Sequence, residues 1–294
     1  MIWGESQKQD LTFNSLKDRL KKTGQKFDLA GLNLKTPEKK FNNGAFLLSD
    51  QNNSIAKVSL YNDLEVGNTL ERNTFENKSI IELIDDVLAF IQKYNSVKSE
   101  ISGSPNRKDT SSYPEPAVRE AVINAFAHRD YSLNSDILIV MFLDRLEITS
   151  PGALPGGLTI EDIKEGANFR RNDVVVKSLN KIGYMENYAL GIPRIFREYS
   201  TFDKEPKIYN TPNLFKIVLY NRNYNIVEER TDDELKIIRA LQEHGDLSRA
   251  EIDNIALLNK KKTLRILNDL IEEDVVKRIG NGKSTKYILK LPCF

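Results

Sequence analysis

AVREAVINAFAHRD, residues 117–130, is the stretch on which the reading of this chain turns. Wound at 100° per residue, it places Val118, Ala121, Val122, Ala125 and Phe126 on one broad apolar face, with Ile123 and Ala127 nearly opposite. Little of the circumference is left for water. Glu120, Asn124 and His128 nevertheless recur at i, i+4 and i+8, a polar stripe edged by small apolar residues. A carboxylate in such surroundings is expensive unless a partner or a ligand needs it. Two readings are open on spacing alone. In the first, Glu120 orients or deprotonates a water while the amide oxygen of Asn124 helps hold a hydrated Mg²⁺ on a nucleotide's phosphates. In the second, Glu120 and Asn124 form an intrahelical pair, and His128 and Arg129 complement the negative end of the helix dipole.

The run Arg119-Glu120-Ala121-Val122-Ile123-Asn124-Ala125 is similar to the helix of GHKL-type ATPases (gyrase B, Hsp90, MutL, histidine kinases), which carries a base Glu and a Mg²⁺-binding Asn four apart. More narrowly, REAVINAFAHRDY followed by LEITSPGALPGGLT, residues 146–159, resembles the bacterial family of RecG-related helicases or transcriptional regulators. The resemblance implies ATP and Mg²⁺ as cofactors, Glu120 as catalytic base and Asn124 as the Mg²⁺ ligand. Around them the expected nucleotide-binding residues are His128, Arg129, Gly152, Arg170, Arg171 and Gly191.

Two loops depart from the GHKL pattern. GHKL enzymes carry an Asp–x–Gly–x–Gly segment whose Asp accepts from the adenine amino group; aligning Gly152 with its first glycine puts Ser150 at the Asp and Leu154 at the second glycine. Pro151 stiffens that loop and removes a donor. The family also carries a Gly–x–Gly–Ile–Pro loop that lets backbone amides approach phosphate. Here Ala189 replaces its first glycine, ahead of Gly191-Ile192-Pro193, and a Cβ disfavours positive φ. Weak nucleotide binding with little turnover is the expectation.

Composition bounds the rest. With 294 residues, 40% of them hydrophobic, the chain has material for two or three domains. The 43 basic residues against 42 acidic leave a net charge of +1, so no global field announces a nucleic-acid or membrane partner. One cysteine, Cys293, excludes an intrachain disulfide framework, and with two histidines a structural zinc site is not expected. No apolar run approaches the roughly 18 residues of a membrane span and no signal-peptide core is visible, so a cytoplasmic soluble protein is expected.

Ahead of the central helix, Phe13, Leu16 and Leu20 predict a helix ending near Gly24. Asn42-Asn43-Gly44 predicts a turn before the apolar run 45–48, and SIAKVSLY (54–61) alternates as a half-buried strand. Residues 1–72 thus read as an incomplete α+β piece, which resembles the tail of a Schlafen/AlbA-like domain whose earlier half is absent. Residues 78–94 form a clean amphipathic helix, and 96–116 a loop or irregular strand. After the central helix, DILIVMFL (136–143) predicts a strand buried on both faces, followed by a hairpin into LEIT. Thr159 caps a short helix, Arg170 and Arg171 stand ahead of another where they would grip phosphate or lie solvated in a loop, and LFKIVLY (214–220) is the last strand.

Past the charged linker 227–230 the composition changes to three helices, the second capped by Ser248, and two strands about Gly280-Asn281-Gly282. That is the pattern of a winged helix-turn-helix. Residues 260–290 hold nine basic residues against four acidic. Lys260, Lys261, Lys262 and Arg265 open the third helix, the end that enters a major groove, while Lys277, Arg278, Lys283 and Lys286 belong to the wing. Gly282-Lys283-Ser284 resembles the end of a P-loop, but Lys277 stands at the required first glycine and strands surround it. No motor-helicase motif is present.

The expected fold class is α+β: an incomplete N-terminal piece (1–72), a GHKL-like two-layer α/β sandwich (73–225) and a C-terminal winged helix-turn-helix (226–294). The expected function is a transcriptional regulator that binds double-stranded DNA and whose central domain binds a nucleotide effector, or descends from one that did, with a homodimer as an expected assembly. An active Mg²⁺-ATPase acting on DNA and a protein-interaction module are the competing classes.

Overall fold

The computed structural model describes residues 2–67, 69–100, 108–167, 171–185, 190–224, 231–272, 275–280, 282 and 285–289. Its elements fall into two sets, each with its own apolar core. The first opens with α1 (Asn14–Lys22), α2 (Asn43–Leu48) and the hairpin β1 (Ala56–Tyr61) and β2 (Thr69–Phe75). The helix α3 (Ile80–Tyr94), the short strands β3 (Val97–Glu100) and β4 (Lys108–Ser111), and α4 (Glu115–Ala127) then lead to β5 (Ile137–Met141) and β6 (Arg145–Pro151). Three more helices follow, α5 (Ile160–Lys164), α6 (Asp173–Lys181) and α7 (Gly191–Glu198), and β7 (Lys207–Thr211) and β8 (Leu214–Tyr220) close the set.

Six strands make one mixed sheet in the order β2-β1-β5-β6-β8-β7. β1 runs parallel to β5 and every other pairing in it is antiparallel. The stretch between β2 and β5 carries α3 and α4, which pack on one face of the sheet against the buried side chains of Val58, Ile139, Ile148 and Ile217. The opposite face holds Lys57, Leu138, Glu147 and Lys216. Leu138 is 42% exposed, so β5 is not covered on both sides as its apolar run predicted. The reason is topological: helices cover one side of a mainly antiparallel sheet, whereas the expectation had borrowed from parallel sheets sandwiched between helices.

The amino-terminal segment belongs to this same body. A single hydrophobic cluster takes in Leu16 and Leu20 of α1, Leu48 of α2, Ile80 and Ile84 of α3, Phe126 of α4 and Val174 of α6. Residue 72, the expected end of the first domain, lies inside β2. The turn expected at Asn42-Asn43-Gly44 is instead the start of helix α2: Asn42 Oδ1 accepts from Ala45 N at 2.8 Å, a helix cap that uses the same residue a turn would use. Gly44 is needed there because a methyl would lie 2.6 Å from Val174 Cβ. Three elements gave no sequence signal: α7, which had been read as a glycine loop, and the strands β2 and β7 at the two edges of the sheet.

The second set is α8 (Asp232–His244), α9 (Arg249–Ala256), α10 (Lys260–Glu272), β9 (Val276–Ile279) and β10 (Lys286–Leu289). Thr231 with Glu234 and Ser248 with Glu251 build reciprocal capping boxes at the first two helices. The two strands pair antiparallel, and Leu247, between α8 and α9, bridges to Tyr287. Ile238, Leu241, Ile252, Leu267 and Tyr287 form a core of their own. No helix of the described residues is long and apolar enough to cross a membrane.

Candidate functional site

α4 starts at Glu115-Pro116, where proline's missing N–H is harmless, and it is buried over most of its length. Arg119, Glu120 and Asn124 are half-buried, the last two joined by Asn124 Nδ2 donating to Glu120 Oε1 at 3.1 Å. The first residue of α7 lies directly on this pair. A methyl on Gly191 would collide with Glu120 Oε1 and stand 2.7 Å from Glu120 Cδ and 3.1 Å from Asn124 Nδ2. Glycine at 191 is therefore a matter of space; of the glycine loop expected around it, Glu186, Tyr188 and Ala189 lie outside the described residues.

The chain ahead of α7 is held by a polar cluster that the sequence did not reveal. Arg119 donates to the carbonyls of Gly183 (3.1 Å) and Tyr184 (3.2 Å). Its guanidinium lies 5.7 Å from the Tyr184 ring centre, and that of Arg19 in α1 lies 5.8 Å from it. Asp85 of α3 pairs with Arg19 and accepts from the Tyr184 hydroxyl. Burial and this bond to Asp85 hold the phenol above its ordinary pKa. Beside the cluster, a cavity of about 340 Å³ opens between α3, α4 and α7, lined by Ile91, Gln92, Val118, Arg119, Glu120 and Arg194. Arg119 lay within the motif itself, whereas nothing in the order of residues singled out Tyr184.

The other end of α4 is closed by side-chain donors. Ser150, which stands at the adenine-reading Asp of the GHKL pattern, is 5% exposed and donates to Ala125 O at 2.7 Å. Asn172 donates to Ala127 O (3.0 Å) and Arg129 O (2.8 Å). Arg171 reaches His128 O (3.3 Å) and Ala153 O (2.6 Å). The carbonyls that a helix leaves unpaired at its end are thus capped from β6 and from the segment ahead of α6. Gly152, at φ +102°, packs so closely that a methyl would collide with Arg171 Nη1 and stand 2.6 Å from Asp130 Cβ.

The remaining expected residues of this end are turned inward. Arg129, 7% exposed, donates to the carbonyls of Leu133 (3.3 Å) and Ser135, and its guanidinium lies 4.6 Å from the Tyr131 ring centre. Burial lowers its pKa, and its Nε has no hydrogen-bond partner among the described residues. His128 is pushed down to about 4, by burial first and by the Arg171 charge second, and is neutral at pH 7. Arg170 lies outside the described residues.

Glu120 and Asn124 offer hard oxygen donors, which suit Mg²⁺ in chemistry. Among the described residues no group of three or more His, Cys, Asp or Glu is placed to hold a metal, so a cation here would take its other ligands from phosphate and water. Asn124 uses its amide N–H on Glu120, which leaves the carbonyl oxygen as its donor to a hydrated cation.

In the second set, Lys260, Lys261 and Arg265 of α10 and Lys277 and Arg278 of β9 are exposed and make no ion pair with a described residue. Lys262 pairs with Asp233 of α8, and Lys286 with Asp246 at 2.7 Å, so two of the expected DNA contacts are engaged within the unit. Lys283 lies outside the described residues.

Residues 134–219 match a family model described as "Putative ATP-dependent DNA helicase recG C-terminal". The matched segment is thus similar to a RecG-related, ATPase-like domain. The matched segment includes Gly152, Arg171 and Gly191 and starts after α4. Among solved structures, the DIP2311 protein from Corynebacterium diphtheriae superposes with a TM-score of 0.66 at 17% identity, over 99% of this chain and 64% of that one. The likeness is one of fold, and this chain spans less than two-thirds of that protein's length. A MarR family transcriptional regulator from Silicibacter pomeroyi aligns at 16% identity over 23% of this chain and 45% of its own, with a TM-score of 0.21. No curated protein matches the sequence.

Proposed function

We propose that this chain is a duplex-DNA-binding transcriptional regulator in which residues 226–294 act as a winged helix and the RecG-related domain, of GHKL type, responds to a nucleotide. The observation that carries the DNA reading is the set of exposed cations Lys260, Lys261 and Arg265 at the start of α10 with Lys277 and Arg278 on the following strand. A recognition helix presents its amino-terminal residues to base edges, and a wing meets phosphate. The strands, the Leu247–Tyr287 bridge and the three-helix core supply the rigid support such a helix needs.

The test is the affinity for a mixed-sequence duplex as a function of salt. Each phosphate neutralised adds about −0.9 to the slope of log K against log salt, so five contacts predict a slope of roughly −4 to −5. Lys261→Glu with Arg265→Glu is expected to abolish binding while the unit stays folded. Binding that survives both the substitutions and a rise in salt rejects this interface.

For the nucleotide, the supporting features are the Glu120–Asn124 pair, the start of α7 above it and the ATPase-like family match. Asn124 would face the hydrated Mg²⁺, whose part is to neutralise phosphate charge. Mg-ATP is expected to raise the melting point, and Asn124→Ala to remove the rise; at a hundredfold excess over Kd the stabilisation is about 2.7 kcal/mol. Turnover that Glu120→Gln abolishes would instead establish an ATPase, since a positioned base is typically worth about 10²–10⁴ in rate.

A further inference from the structure

The near-neutral total charge conceals an uneven distribution. Residues 17–40 hold eight basic residues against three acidic, so that, with the basic run of 260–290 set aside as well, the rest of the chain is acidic in balance. Lys17, Lys21, Lys22, Lys35, Lys39 and Lys40 are exposed, and none forms an ion pair with a described residue. The fold gathers them. The ring of Phe13 lies 5.5 Å from those of both Phe27 and Phe41, with Lys17 Nζ 5.1 Å over Phe27 and Lys35 Nζ 5.0 Å over Phe41. Lys21 follows Lys17 one turn along α1. Lys39 and Lys40 stand in the turn closed by Thr36 N donating to Lys40 O at 2.7 Å, beside the Lys35–Phe41 bridge. From α6, Lys181 Nζ reaches Gly31 O at 3.4 Å. Asp28 is turned onto the N–H groups of Ala30 and Gly31, which leaves Asp18 and Glu38 against the lysines.

Cations gathered on one surface raise the local concentration of anions and favour a polyanion. Three classes of polyanion differ in what else they need. An anionic membrane is held by apolar side chains inserted beside the cations, and a single strand by exposed rings on which its bases stack. Here Phe13 is 3% exposed, and lysines lie over Phe27 and Phe41. The backbone of a duplex needs only cations, since it presents one phosphate charge per about 1.7 Å of axis. We infer that the surface formed by α1 and residues 24–40 is a nucleic-acid contact separate from the winged helix, which takes the phosphate backbone of duplex DNA without reading its sequence. It stands whether or not residues 226–294 bind DNA, and it gives the larger unit a hold on DNA of its own.

The test is acylation of lysines in the full chain, read residue by residue by mass spectrometry, with and without a mixed-sequence duplex. Non-specific backbone contacts have a Kd of about 10⁻⁴–10⁻⁶ M at physiological salt and tighten as salt falls, so excess duplex at low salt fills the surface. Labelling of Lys17, Lys35 and Lys39 is expected to fall about fivefold or more and to recover as salt is raised. Lys21→Glu with Lys40→Glu is expected to restore labelling at those three residues at an unchanged melting point; if that variant melts lower, Lys21→Gln with Lys40→Gln takes its place. Lys260 and Lys261 report the winged helix in the same experiment, so the two surfaces fail or succeed independently. Labelling at residues 17–40 that duplex leaves unchanged overturns the inference whatever happens at Lys260 and Lys261. Protection that persists in the variant overturns it too, because it would reflect shielding by DNA held elsewhere. Equal or stronger protection by a single strand, or protection by phosphatidylserine vesicles alone, rejects the duplex in favour of that polyanion.

Discussion

His128 shows how little a residue type says by itself. On the helix face it joined Glu120 and Asn124 in one polar stripe; in the fold its ring titrates near 4 because burial and the Arg171 charge disfavour the imidazolium. The unfolded chain, with an ordinary histidine near 6.5, takes up the proton first as the pH falls. The stabilising contribution is therefore complete above about 6.5 and is lost as the pH drops toward 4. The full shift corresponds to about 3 kcal/mol, and roughly 2 is expected because the residue is half-buried rather than enclosed. Urea melts at pH 7 and pH 4.5, compared between the parent and His128→Gln, measure it: the variant should lose less stability on acidification. Equal loss in both would place the acid sensitivity elsewhere.

At the scale of elements, the carboxyl end of α4 is secured by side chains from two other segments. Asn172 is the most consequential of them, since it serves two carbonyls and is itself buried. Asn172→Ala leaves both acceptors without a donor, and a buried unsatisfied group costs about 1–3 kcal/mol. A loss of about 2–3 kcal/mol in equilibrium unfolding is expected, with Asn172→Asp at least as severe because it sets a carboxylate against carbonyl oxygens. A loss below 0.5 kcal/mol would mean that water replaces the amide. The same closure explains why the adenine-reading position was hard to judge from the loop alone. Ser150 is a substitution in a motif when read along the chain, but a helix-end cap when seen from α4.

Over the whole molecule, the two cores predict two cooperative units. Leu241 is buried in the smaller one, and its truncation to alanine should cost that unit about 2–5 kcal/mol while the melting of the larger unit stays in place. The reverse test concerns residues 1–72. Because β1 hydrogen-bonds to β2 on one side and β5 on the other, a chain beginning at residue 73 loses one sheet strand entirely and the rest of its hairpin partner in part. It also loses Leu16, Leu20 and Leu48 from the core. Such a chain is expected to lack the cooperative transition of the larger unit by circular dichroism; a sharp, unshifted melt would show that the amino-terminal segment is dispensable.

What the order of residues determined was local. Apolar periodicity located α3 and α4, alternation located β1 and β6, and capping residues placed Thr159 and Ser248 at helix starts, because each of these signals depends on neighbours within about two turns. The Glu120–Asn124 pair was legible for the same reason, its two members lying one helical turn apart. What only the tertiary structure decided was which long-range partners those residues meet. That β1 joins the sheet of β5, that one face of β5 is left uncovered, and that α7 sits on Glu120 while Ser150, Arg171 and Asn172 close the far end of α4 all depend on contacts between residues 25 to 81 positions apart. No local spacing encodes such contacts, because they arise only when the buried faces of separate elements are brought together around one core.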